Sequence, residues 1–125
     1  MESAKLTSSQ IKYLLTIKKV SEASFKIRSL DIAIILGVAK SSVHKMMDML
    51  KSMDFIRKEH YGEIYLTDEG RKAATKYEQY YFAVLEKLAP FSNNDEETEN
   101  AILAFLSELS SNSLNKITQF SNNNE

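Results

Sequence analysis

The 125-residue chain contains no cysteine, which excludes disulfides, thiolate metal sites and thiol nucleophiles. Its formal charge of −1 hides an asymmetry: residues 1–90 carry 15 Lys and Arg against 11 Asp and Glu, whereas residues 91–125 carry one lysine against six acids, so positive charge remains available to one face for a nucleic acid. No apolar run approaches the roughly 18 residues of a membrane span, and the first residues lack an apolar signal-peptide core; the expectation is a cytoplasmic protein with no membrane partner.

Thr7 and Gln10 have the spacing of a capping box, with Leu6 and Ile11 placed as the hydrophobic staple across it. They predict a helix to about Glu22 that packs through Ile11, Leu14, Leu15 and Ile17. Phe25-Lys-Ile-Arg28 reads as a short extended piece, a third strand for a small sheet, and Ser29 is placed to cap a helix beginning near Leu30. Ile32, Ala33, Ile35 and Leu36 form the apolar side of that helix, and Gly37 can take a positive φ and turn the chain sharply. Val43, Met46, Met47 and Leu50 then recur at the spacing of a second amphipathic helix. This is the pattern of a helix-turn-helix. Lys40, Ser41, Ser42, His44 and Lys45 fall near the start of the second helix on faces its apolar stripe leaves free, the part that enters the major groove in that motif. On this stretch alone an ordinary helical hairpin is the alternative.

After Ile56 the period changes. The segment 57–66 places β-branched and aromatic residues either side of Tyr61-Gly62 and predicts a short hairpin. A two-stranded ribbon directly behind a helix-turn-helix is a wing, with His60, Tyr61 and Gly62 at its tip and Arg57 and Lys58 leading into it; its tip is placed to reach phosphates or the minor groove, and a plain solvated hairpin is the alternative. Thr67, followed by Asp68 and Glu69, reads as the cap of a long helix to about Leu88, stopped by Pro90. Residues 91–94 read as a loop and 95 to about 109 as a further helix. A break follows at Ser110-Ser-Asn-Ser113, then a last short helix through Ile117 and Phe120, and a polar frayed tail from Ser121. The fold class is therefore mainly α with a small β-wing: a winged helix-turn-helix DNA-binding domain over 1–70 and a helical dimerisation region over 71–125. Tyr77, Tyr81, Val84, Leu85 and Leu88, with Ile102, Phe105 and Leu106, are the expected dimer interface. Twofold symmetry is what paired DNA half-sites require; capping of the chain's own core is the other use of such a stripe.

Catalytic constellations are missing: there is no Gly-rich phosphate loop, nucleophile elbow or His-Glu pair at zincin spacing, and an enzyme is not expected. His44 and His60, the only histidines, lack a ligand partner at helical spacing on their own elements. The run Asp95-Glu-Glu-Thr-Glu99 suits the dipole of a helix start. Tyr77, Tyr80 and Tyr81 suit either interface packing or a pocket for a small effector.

Arg28-Ser-Leu-Asp-Ile-Ala33, Leu36-Gly-Val38, Ser41-Ser-Val43, Leu50, Phe55-Ile56, Tyr61-Gly62 and Leu66-Thr-Asp-Glu-Gly70 together resemble the diphtheria-toxin-repressor/manganese-transport-regulator (DtxR/MntR) family of bacterial metal-dependent repressors. The similarity is dense from about Leu6 to Leu88 and thinner to Phe120. It implies a homodimer on a double-stranded operator with paired half-sites, and it places Ser41, Ser42 and Lys45 where the family contacts DNA. Asp54 stands where the family usually has glycine, and Asp tolerates left-handed geometry better than most residues. The resemblance also implies a manganese or iron site built from the first, fourth and fifth helices. In ungapped register its first- and fourth-helix ligand positions fall on Lys12, Leu15 and Tyr81, and anchoring the fifth helix at Leu109-Ser110 puts the others on Leu103, Leu106 and Ser107, which together offer no anionic shell. The expectation is a DNA-binding transcriptional regulator, a repressor, without metal ligands or another cofactor. The alternatives are a small-molecule-sensing regulator of the multiple-antibiotic-resistance type and a winged-helix module that binds another protein.

Overall fold

The computed structural model describes residues 5–24 and 26–123. In chain order its main elements are helices α1 (Ser8–Ala23), α2 (Ser29–Leu36) and α3 (Lys40–Ser52), strands β1 (Ile56–Lys58) and β2 (Ile64–Leu66), and helices α4 (Asp68–Leu88), α5 (Glu96–Glu108) and α6 (Ser111–Asn123). The chain divides into two compact units, with the divisions inside α1 and α4: Tyr13–Thr75 forms one, and the described residues up to Lys12 with those from Lys76 onward form the other. Among the described residues no helix is long and apolar enough to cross a membrane.

The first unit is a winged helix-turn-helix. Tyr13 and Ile17 of α1, Ile32 and Ala33 of α2, and Val43, Met47 and Leu50 of α3 form one buried cluster with Ile27, Ile56 and Ile64. Gly37 (φ 65°, ψ 38°) ends α2; Val38 N–H reaches Ala33 O and Gly37 N–H reaches Ile34 O, the two bonds of a Schellman motif. The same closure ends α3. Asp54 sits at φ 65°, with Phe55 N–H on Leu50 O and Asp54 N–H on Lys51 O. The left-handed position expected at Asp54 is thus present.

The wing is an antiparallel pair with Ile56 opposite Leu66, Arg57 opposite Tyr65 and Lys58 opposite Ile64. Thr67 ties its far end back to the corner after α3: the hydroxyl donates to Asp54 O at 2.6 Å and accepts from Gly70 N–H at 2.9 Å, while Thr67 N–H bonds Phe55 O at 3.0 Å. This cap brings α4 so near the α3–β1 corner that a Cβ on Gly70 would lie 1.9 Å from Phe55 O. Only glycine fits there.

In the second unit the capping box is formed, with Gln10 N–H on Thr7 Oγ1 at 3.1 Å and Thr7 N–H on Gln10 Oε1 at 3.0 Å. Leu6, Ile11, Tyr80, Ile102, Leu103, Leu106 and Leu114 are buried. Asp95 caps α5 by accepting from Thr98 N–H, and Lys5 Nζ bonds Glu108 O at the other end of that helix. The backbone bond to Thr98 is the first cause that holds the Asp95 carboxyl below its ordinary range.

Several local expectations are corrected. The third strand shrinks to one bridge, Arg28 with Glu63, supported by Ile64 N–H on Ile27 O; Phe25 lies outside the described residues. The α2 cap falls one residue early: Ser29 is already helical and buried, and Asp31 Oδ2 accepts from Arg28 N–H instead. Ile35 is exposed, because α2 is apolar nearly all round and only one side meets the core. The serine run is a helix start, since Ser110 Oγ accepts from Ser113 N–H. The helix then continues to Asn123 where a frayed tail was expected; the Phe120 side chain and residues 124–125 lie outside the description.

Candidate nucleic-acid interface

α3 buries Val43, Met47 and Leu50 and exposes Lys40, Ser41, Ser42, His44 and Lys45. Its N-cap is Ala39, which supplies no side-chain hydrogen bond. An uncapped helix N-terminus with a lysine at the first position presents N–H groups and positive charge to an anion such as phosphate. The sequence signal for this is the absence of Ser, Thr, Asp or Asn at position 39.

At the wing, Arg57 and His60 are exposed and Tyr61 is 88% exposed. Glu59 N–H bonds Glu63 O, leaving His60, Tyr61 and Gly62 as the loop, and Tyr61 (φ 64°, ψ 25°) and Gly62 (φ 76°) are the central residues of its four-residue turn His60–Glu63. Two consecutive positive φ values are those of a type I′ turn, where Asn-Gly is the favoured pair. Tyrosine in the first place is strained, and its ring lies largely in solvent.

Lys58 differs from the other expected DNA residues. Its Nζ lies 2.9 Å from Asp48 Oδ1, and its side chain is only 26% exposed against 73% for Asp48. The hydrogen bond and the charge of Lys58 hold the Asp48 carboxyl below its ordinary value, with smaller help from Lys51 and His44 on the same helix. Asp48 was missed in the sequence because its partner lies across a helix end and a strand.

Of the expected dimer residues, Tyr77, Tyr81, Val84, Leu85 and Leu88 are half-buried and Phe105 is 48% exposed. Ile102 and Leu106 are corrections: both are interior to the chain's own helical unit, which withdraws them from any face a second copy can reach. Val84, Leu88, Phe105 and Ile117 line an open groove of about 380 Å³, with Lys87 and Lys116 also among its lining residues. Tyr77 and Tyr80 pack edge to face at 5.5 Å, and burial is the main cause raising both phenols.

The positions where the resemblance puts metal ligands hold other chemistry. Lys12 Nζ lies 3.7 Å from Glu99 Oε1; burial, then the charge of Glu99, raise the Tyr81 phenol. Leu103 and Leu106 are buried, Leu15 is half-buried, and Ser107 Oγ donates to Ala104 O of its own helix. Among the described residues no three His, Cys, Asp or Glu side chains gather where they could hold a metal ion. An ammonium beside a carboxylate does not fit manganese or iron, which need several anionic or imidazole donors around one point.

A helix-turn-helix with an exposed, basic recognition helix and a hairpin wing defines the winged-helix class of DNA-binding domains. The chain belongs to the iron-dependent repressor family: the sequence model described as "Iron dependent repressor, N-terminal DNA binding domain" matches residues 5–75, more than half of it. Similar solved structures include the manganese regulator SloR (21% identity, TM-score 0.74, covering 90% of this chain and 53% of that one). They also include the metal-dependent transcriptional regulator MtsR (18% identity, TM-score 0.74, 94% and 55%) and a hypothetical protein from Sulfolobus solfataricus (20% identity, TM-score 0.68, 92% and 88%). This chain spans about half the length of the first two. At these identities the likeness is one of fold. No curated protein sequence matches the chain.

Proposed function

We propose that this protein is a sequence-specific DNA-binding transcriptional regulator, a repressor that acts as a homodimer on paired half-sites and does not use manganese or iron as its switch. The observation that carries the DNA reading is the exposed set Lys40, Ser41, Ser42, His44 and Lys45 on a recognition helix whose opposite face is fully used by the core. The serines and lysines offer hydrogen bonds to base edges and charge to phosphates. Arg57, His60 and Tyr61 on the wing reach the adjoining backbone or minor groove.

The half-buried stripe Tyr77, Tyr81, Val84, Leu85 and Leu88, continued by Phe105, supports association through the helices after the wing. A second copy supplies the second reading head that a palindromic operator demands. The Lys12–Glu99 pair supports the metal-free reading, because the ammonium already supplies a positive charge beside the carboxylate.

Selection from a random duplex pool tests the function. The wild-type chain is expected to enrich an inverted repeat, and Lys45→Ala is expected to enrich it poorly. A pool that stays random under wild-type protein overturns the proposal.

A further inference from the structure

We propose that Asp48 is a specificity-determining residue that keeps Lys58 from phosphate on non-cognate DNA, releasing it only where a base amino group takes the lysine's place. The inference rests on the DNA-binding reading above and concerns how that surface discriminates. Its basis is one juxtaposition: a carboxylate on the recognition helix holds the lysine of the wing strand at 2.9 Å.

Three consequences follow from that contact. Lys58 sits on β1, directly before the wing tip, where a free ammonium would add sequence-independent phosphate affinity; paired, its charge is locally cancelled. Asp48 is a negative charge on the face of α3 that also carries His44 and Lys51, so a phosphate or a base acceptor brought against it is repelled. The Asp48 side chain is nonetheless 73% exposed while Lys58 bonds Oδ1, so a donor in the groove can reach the carboxylate and compete with the lysine for it. Carboxylates accept from cytosine N4, and adenine N6 is the other major-groove amino donor. At a site that presents such a donor, Asp48 exchanges partners and Lys58 turns to the backbone. Elsewhere both charges remain engaged with each other, and binding forgoes one phosphate contact.

The test compares wild type, Asp48→Asn, Lys58→Ala and the double variant on the selected operator and on a non-cognate duplex across a salt series. Asp48→Asn keeps the shape of an exposed side chain, and circular dichroism confirms the fold. It is expected to tighten non-cognate binding and steepen the slope of log affinity against log salt by about one, the signature of one added phosphate contact. The cognate to non-cognate ratio is expected to fall about fivefold or more, as for one lost base readout. With Lys58→Ala in place, the steepening should vanish. A slope and ratio unchanged in Asp48→Asn overturn this inference while wild-type operator binding keeps the DNA reading intact. A gain that persists without Lys58 also overturns it, since the effect would then be the general field of one removed charge. Wild-type protein that binds neither duplex overturns the DNA reading and this inference together.

Discussion

Replacing Tyr61 by asparagine is expected to stabilise the protein and weaken its DNA binding in the same variant. Tyr61 sits at φ 64°, ψ 25° as the first central residue of the wing turn. A left-handed conformation costs a residue with a bulky Cβ substituent about 1 kcal/mol or more, and asparagine relieves part of this through local hydrogen bonding. The ring has little burial to lose at 88% exposure. Its only aromatic neighbour among the described residues is His60, tilted and 6.5 Å away, near the far limit of useful ring contact. The gain is therefore set by the backbone, about 0.5 kcal/mol, or a rise of about 2 °C in the melting midpoint for a chain of this size. If the exposed ring touches DNA, its removal costs about 1 kcal/mol, close to fivefold in affinity. Thermal unfolding and fluorescence anisotropy on the selected operator read the two signs separately. A lowered midpoint would refute the strain argument, and unchanged affinity would remove the wing tip from the DNA surface.

Gly70→Ala is expected to destabilise the chain by about 3 kcal/mol or more, because the new methyl meets backbone 1.9 Å and 2.7 Å away at Phe55; a urea midpoint like that of wild type would show that the corner between α3 and α4 yields freely. Lys45→Ala should lower the salt slope by about one, and Ser42→Ala should cost about 1 kcal/mol for a lost neutral hydrogen bond; unchanged affinity in both variants would place the DNA surface elsewhere. Phe105→Asp puts a charge on an exposed apolar position and is expected to turn a sedimenting dimer into a folded monomer by burying an unpaired carboxylate at the interface. Wild-type protein that sediments as a monomer at micromolar concentration contradicts the proposed interface.

Signals confined to a few neighbouring residues were the legible ones. The Thr7–Gln10 box, the Gly37 turn, the Tyr61-Gly62 hairpin and the Thr67 cap each need only local backbone geometry and one side chain, and all four are formed. Expectations that depended on what lies opposite an apolar face fared worse. Ile32 to Leu36 are apolar without a break, so no period tells that Ile35 faces solvent. Ile102 and Leu106 form a stripe that reads the same whether the chain's own core or a second copy covers it. The Asp48–Lys58 pair joins residues ten apart across a helix end and a strand start, and no spacing rule reaches across that corner. Gly70 stands in the sequence as part of a motif, but its reason, the closeness of Phe55 O, exists only once the helix and the corner are folded together.

Operator affinity measured side by side with manganese, with ferrous iron and with chelator, in one buffer and on one duplex, tests the central claim most directly. With Lys12 paired to Glu99 and no gathered donors among the described residues, affinity is expected to agree within about twofold across the three conditions, below the usual range of allosteric coupling. A gain of about tenfold or more with either metal, lost on adding chelator, is the size of a working switch and would contradict the account.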